Sequence, residues 1–432
     1  MTGLALGAVA QKGYGMATKE QVREPVPGAD ELLASLATPE VSTDPYPVYA
    51  RLRRLGPVRS AASGVIFLTG YQDCAALTRD QGFGSQSPQW CDRVTPGWRA
   101  HPSKVATFEA MLFRDPPDHT RLRRLVGAAF TPRQAEQMRA DVSRLTHSTL
   151  DRLAEAGSDG GVVDLQEIIA SSLPIAVIGS LVGVPEADWP QLRTSMSRLL
   201  QLVELSLSAQ TLADADDGAT KLTAYFAGLA AERRRGPRAD LASALVAAAD
   251  ASRAESGEFT EDELVQTLTF VFMAGVDTMA NLLANGVAAL LAHPAQADLL
   301  RGSDRRVLGA VDEVLRYDAP VQLVGRVAAT DTVIAGLPVL ADELVVAILG
   351  AGNRDPARFG DPDSFDITRT GTAPLSFGGG IHRCLGAPLA RVEAGVFFAA
   401  LLSRFPMLAM AGQPTRQGTV FRGFSFLPVA LR

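Results

Sequence analysis

The sequence predicts a mainly α-helical chain with a smaller β region, on three observations. Helical periodicity dominates from about Asp115 to Tyr317, one pattern within it runs without a break from Glu261 to about Ala292, and short β-branched runs replace helix after Tyr317. In 432 residues, 47% of them hydrophobic, there is ample apolar material for a large core. The division expected is a flexible N-terminal arm over residues 1–40, where Gly, Pro and charge alternate without a period, followed by a single domain over 41–432. Met16 is an alternative start to Met1.

In chain order, "GVIFLTG" (Gly64 to Gly70) is an apolar β-branched run bounded by glycine and reads as a strand. "DPPDHTRLRRLV" then opens a helix, with Asp115 as N-cap, Pro116 at the first helical position and Asp118 suited to the helix dipole. "TPRQ" (Thr131 to Gln134) fits a capping box with Pro at N1. "FTEDEL" is the clearest start: Thr260 caps, Glu263 reaches back, and Phe259 can staple onto Leu264. From Glu261 this helix lasts until His293-Pro294 stops it, a length of roughly 48 Å at 1.5 Å per residue. "VGRVAATDTVIAG" and "LPVLADELVVAILG" read as strands, and a last helix is expected from Cys384 to about Phe405.

Composition excludes several function classes. A net charge of -6 argues against nucleic acid as a general partner. The apolar stretch Leu4 to Ala10 is too short to span a bilayer, so no membrane association is expected. Three cysteines, Cys74, Cys91 and Cys384, cannot build a disulfide framework, which points to a reducing compartment, the cytoplasm by default.

Cys384 lies in "FGGGIHRCLG", among glycines that cost backbone entropy, so the loop needs its backbone close to something. A cysteine ahead of a helix N-terminus meets the positive dipole end and free N–H groups, which favour the thiolate. Such a thiolate serves as nucleophile, redox thiol or metal ligand, and a buried structural cysteine is the plain alternative. His382 is only two residues away, poor geometry for a Cys-His pair, and no second cysteine is close. Elsewhere His119 and Arg123 stand four apart on one helix face, and Glu313 and Arg316 three apart in "EVLR". Each pair alone is an ordinary solvated pair.

Taken together these landmarks resemble the cytochrome P-450 family, haem-thiolate monooxygenases of the soluble bacterial type, from about Asp44 to the C-terminus. "DPYPVYARLR", "DPPDHTRLR", "AGVDT" (Ala274 to Thr278), "EVLR", "NRDP" with "FDITR", and "FGGGIHRCLG" occur in the family's order. The resemblance implies that fold, with the long central helix over the haem. It implies haem b (iron protoporphyrin IX), with Cys384 as the iron ligand. His119, Arg123, Arg326 and His382 would pair with the propionates, Ala274, Phe377, Gly378 and Gly386 would make further cofactor contacts, and the loop glycines would let the backbone pass close to the porphyrin. Glu313, Arg316 and Arg369 would form a buried structural network.

On the long helix, Phe270, Met273, Ala274, Asp277 and Thr278 share one face. Gly275 and the polar Asp277-Thr278 pair are odd in such a stripe, and a widened helical turn that binds O2 and water would explain both. The resemblance makes Asp277 and Thr278 the catalytic pair. The substrate pocket is expected at Phe270, Met273, Val321, Val324, Phe424 and Ser425, which are largely apolar and favour a mid-sized lipophilic substrate, a polyketide or macrolide of secondary metabolism. A terpenoid, a fatty acid and a peroxide-driven reaction are the alternatives. Without a fused reductase, electrons from NAD(P)H would arrive through a ferredoxin reductase and a ferredoxin that docks on Arg121, Arg124 and Arg383, and a monomer is expected.

Overall fold

The structure, a computed structural model, describes residues 26–205, 207–255 and 259–431. The helices that bear on the site are labelled in chain order: α1 (Ala29–Ser35), α2 (Tyr71–Arg79), α3 (Asp118–Gly127), α4 (Leu165–Ala170), α5 (Leu173–Val182), α6 (Trp189–Leu200), α7 (Ala209–Arg235), α8 (Glu261–Ala292), α9 (Val307–Tyr317) and α10 (Ala387–Arg404). The largest sheet contains β1 (Val58–Arg59), β2 (Ile66–Leu68), β3 (Phe83–Gly84), β4 (Leu323–Ala328) and β5 (Leu344–Ile348) in the order β1-β2-β5-β4-β3. Its β2–β5 pairing is parallel and the others are antiparallel. A hairpin near the C-terminus pairs β6 (Thr415–Gln417) with β7 (Gly423–Phe426).

α8 organises the core. Thr260 and Glu263 close the capping box that the sequence predicts, and His293 ends the helix just before Pro294. It packs on α4, α5, α7, α9 and α10. Leu264, Leu268, Phe272 and Leu283 are fully enclosed, and each such side chain contributes ~1.5–3 kcal/mol of burial. A helix surrounded in this way is apolar on nearly every face because nearly every face meets protein. Among the described residues, two helical stretches are apolar and long enough to cross a membrane by composition; α8 is one, and 67% of its most apolar window is buried inside the protein.

Four local expectations differ from the structure. α1 falls inside the stretch read as a loose arm: Ala29 and Leu32 are buried and Asp30 accepts the Ala61 N–H, while residues 1–25 lie outside the described residues. Asp115 does not cap α3, which begins at Asp118 after a cis Pro116–Pro117 bond; its carboxylate instead accepts the N–H and hydroxyl of Ser85 at 2.8 and 3.1 Å. The last helix starts at Ala387, so Cys384 sits in the loop ahead of it. Finally, α8 is regular through Ala274–Thr278 with no widened turn. Gly275 has a packing cause instead, since a Cβ there would lie 3.1 Å from Ile178 Cγ1 of α5.

Candidate active site

The loop Phe377–Gly386 is shaped by its glycines, and two of them have a packing cause that the sequence did not show. Gly378 and Gly380 take φ of 65° and 62°. A Cβ at Gly380 would lie 2.6 Å from the Thr78 carbonyl oxygen, and one at Gly379 2.8 Å from Thr78 Oγ1. These two glycines therefore seat the loop on the end of α2. Gly386 differs: a Cβ there would have only Cys384 Sγ near it, at 4.0 Å, so the space beside the sulfur is open.

The backbone N–H of Cys384 donates to Phe377 O at 2.8 Å, which turns the thiol to one side of the loop. Cys384 is the one of the three cysteines with open surface. Burial still pushes its thiol up, against the N–H groups of Gly386 and Ala387 and the Arg123 guanidinium, which pull it down. The thiolate expected from the helix dipole alone is thus opposed by desolvation. Phe377 lies under the Arg391 guanidinium, 4.7 Å from its ring centroid.

His119, Arg123, Arg326 and His382 converge beside this loop from α3, β4 and the loop itself. His119 is 2% exposed, its ring centroid is 4.2 Å from that of His382, and its Nδ1 has no partner among the described residues. Both ring nitrogens of His382 are equally unpartnered; Asp115 Oδ1 is 3.9 Å from Nε2, beyond hydrogen-bonding distance. Arg326 enters the interior because β4 is covered on both faces, and its described hydrogen bond goes only to the adjacent Gly325 O at 2.9 Å. Arg123 donates to Arg383 O at 2.7 Å. Burial first, then His382 and Arg123, push the His119 imidazole down to about 4; burial lowers His382 and brings Arg326 to about 10. A buried cluster of bases served by a single carboxylate, Asp115, is built for additional anionic groups. The residues thus fit a cofactor that offers carboxylates to this cluster and an iron to Cys384.

On the opposite side, Ala274 has open surface in mid-helix although Phe272, Met273 and Val276 around it are buried. The Thr278 hydroxyl donates to Ala274 O at 2.7 Å. Asp277 is pushed up to about 6 by burial, opposed by Arg193 of α6. Arg193 is itself held by both oxygens of Glu167 of α4, at 2.8 and 2.7 Å. Sequence reading missed Arg193 and Glu167, since nothing in their spacing announces a carboxylate on another helix.

Around this space Phe270, Val321 and Val324 are half-buried and Met273 is 9% exposed. Phe424 is no pocket residue: it is fully enclosed, with the Arg416 guanidinium 3.8 Å above its ring. Ser425 keeps open surface on β7 and donates to Thr415 O at 3.4 Å. Phe421, which the sequence did not single out, pairs with Val321.

Glu313, Arg316 and Arg369 come together. Arg316 donates twice to Glu313, at 2.7 Å each, with both side chains fully buried, and Arg369 adds a bond at 3.2 Å. Arg316 also donates to Asn353 O, Pro362 O and Ser364 O, so both charges are satisfied. Of the three surface arginines expected to receive a partner, Arg124 and Arg383 are exposed, with Ile381 beside them at 43%. Arg121 is not available, because Glu263 binds it at 2.6 and 3.1 Å.

Residues 66–428 match the family model described as Cytochrome P450. Cytochrome P450 BJ-3 of Bradyrhizobium diazoefficiens is 36% identical over 95% of this chain and 98% of its own length. The 6-deoxyerythronolide B hydroxylase of Saccharopolyspora erythraea is 34% identical over 90% and 96%. Among solved structures, P450BioI in complex with a hexadec-9Z-enoic acid-ligated acyl carrier protein superposes with a TM-score of 0.83 at 34% identity, covering 91% of this chain and all of that one.

Proposed function

The chain belongs to the cytochrome P450 family, and from that premise we propose that it inserts one atom of O2 into a mid-sized lipophilic natural product of the polyketide or macrolide kind. As a P450 monooxygenase it uses a haem-thiolate centre, O2 and reducing equivalents. The observation that carries the site assignment is the set of bases, buried His119, Arg326 and the His382 ring with half-buried Arg123, gathered beside an open-faced cysteine with too few anions to serve them.

In this reading Cys384 ligates the iron of haem b, the four bases hold its propionates, and Ala274, Phe377, Gly378 and Gly386 border its ring. The bound haem, pushed by the thiolate, supplies O–O cleavage and oxygen insertion. The rest falls to the chain's own side chains. Asp277, raised to about 6, takes up and releases a proton at its carboxyl near neutral pH, inside a helix otherwise lined with apolar groups. The Thr278 hydroxyl, anchored on Ala274 O, holds the water that passes that proton on. Phe270, Met273, Val321 and Val324 exclude bulk water and orient an apolar substrate. Glu313, Arg316 and Arg369 fix the segment around Asn353–Ser364 without touching the chemistry.

The polyketide reading draws on the relative named for hydroxylating 6-deoxyerythronolide B. A second reading, a fatty acyl substrate, is favoured by the acyl carrier protein complex of P450BioI. Electrons arrive from a ferredoxin that meets Arg124 and Arg383 in the cytoplasm. Titration of the ferric holoenzyme with macrolactones and with C14–C16 fatty acids, read as the haem spectral shift, separates the substrates. Saturable shifts with macrolactones alone support the first reading, and shifts with fatty acids alone replace it with the second.

A further inference from the structure

Behind the α6 helix the chain makes a short turn, Gln201–Val203, and then presents Glu204 to three successive backbone N–H groups of a distant segment. Glu204 Oε2 accepts from Thr419 at 2.8 Å and Val420 at 3.1 Å, and Oε1 accepts from Phe421 at 3.1 Å. Gly418 opens this turn at φ 76°, and a Cβ there would fall 2.0 Å from Phe421 O, so the three N–H groups point one way only with glycine in place. The other edge of the same turn is stitched to the segment ahead of β4: Gln322 donates to Val420 O, Arg422 donates to Pro320 O, and Phe421 bridges Val321.

We infer that Glu204 is a positioning residue for the substrate pocket: its carboxylate clamps the Thr419–Phe421 turn, and with it Phe421 and Val321, to the connection between α6 and α7. Bonds from N–H to a carboxylate are about twice as strong as neutral ones, and successive N–H groups in such a concavity form a ready anion cradle. Here the anion is built into the chain. Two walls that approach a bulky substrate from different parts of the sequence are therefore held at a fixed separation, whereas a small ligand at the cofactor does not feel that separation. The inference rests on the pocket reading above, through Val321, and adds a residue that the family's landmarks in this sequence do not include.

The test uses the ferric holoenzyme and two iron-ligating probes, imidazole and the bulky azole econazole, followed by stopped-flow absorbance. In Glu204→Ala, econazole association and dissociation should both quicken about ten-fold, the equivalent of about one charge-assisted bond, while imidazole kinetics stay within about two-fold. Glu204→Gln, which keeps a carbonyl acceptor without the charge, should fall between. Unchanged econazole kinetics, or an equal change for both probes, would overturn the inference. Hydrogen exchange on the wild-type protein tests the clamp even where a variant does not fold or no haem is taken up: protected amides at Thr419, Val420 and Phe421 support it, and exchange at free-peptide rates overturns it. A wild type that shows no azole shift while those amides are protected fails the haem reading and leaves the clamp standing.

Discussion

The imidazole rings of His119 and His382 stand 4.2 Å apart, centroid to centroid, beside a buried Arg326, and Asp115 is the carboxylate that faces them, 3.9 Å from His382 Nε2. Two bases pressed together in this way stay neutral unless anions join them. Burial holds His119 at about 4, and lowers His382 too, against 6.5 for an ordinary histidine. The unfolded chain then binds more protons than the folded one between pH 6.5 and 4, so stability is complete above 6.5 and drains as pH falls toward 4. For His119 alone the loss approaches about 3 kcal/mol. The haem-free protein should therefore show a melting temperature that drops steeply from pH 6.5 to 4.5, and the haem-loaded protein a shallower slope, because propionates raise both imidazoles. Parallel slopes in the two forms, by scanning calorimetry, would remove the propionate assignment.

Glu393 on α10 has the opposite sign. It is 2% exposed, Oε1 has no partner among the described residues, and burial pushes its carboxyl up to about 8 from 4.5. Folded protein holds that proton where unfolded chain has released it, so the favourable contribution is present below 4.5 and lost as pH rises to 8. Glu393→Gln should consequently gain on the wild type by a few kcal/mol between pH 5 and pH 8, seen in urea titrations at the two pH values. A constant difference between the two proteins would show that Glu393 is already ionised.

Asp277 and Thr278 separate by what each variant loses. Thr278→Ala should keep haem, CO binding and the substrate shift, yet form several-fold less product per NAD(P)H consumed. Asp277→Asn should slow turnover itself by about 10²-fold, and remove the fall in rate above about pH 6 that loss of the raised carboxyl's proton gives the wild type. Wild-type coupling and an unaltered pH profile in both variants would make the pair structural.

How far the sequence could be read follows from the range of each interaction. Thr260, Glu263 and the His293-Pro294 stop act within one helical turn, so both ends of α8 were legible to the residue. The loop glycines were visible, but the packing of Gly379 and Gly380 on α2 was not, because Thr78 lies some three hundred positions away in the chain and meets them only in three dimensions. The same holds for Gly275 against Ile178, and for Asp115, whose Ser85 partner outcompeted a local cap. Phe424 was misassigned because strand alternation cannot tell a pocket wall from a core covered by Arg416. Glu204 and Arg193 carried no local signal at all, since their partners sit on other elements.

The central claim, that Cys384 holds the haem iron through its thiolate, is tested most directly by the ferrous–CO difference spectrum of the wild type beside Cys384→His. The wild type should show the red-shifted Soret band of a thiolate-ligated haem, and Cys384→His, retaining some haem, should lose it because imidazole cannot supply the anionic sulfur donation. The same red-shifted band in both proteins would contradict the assignment.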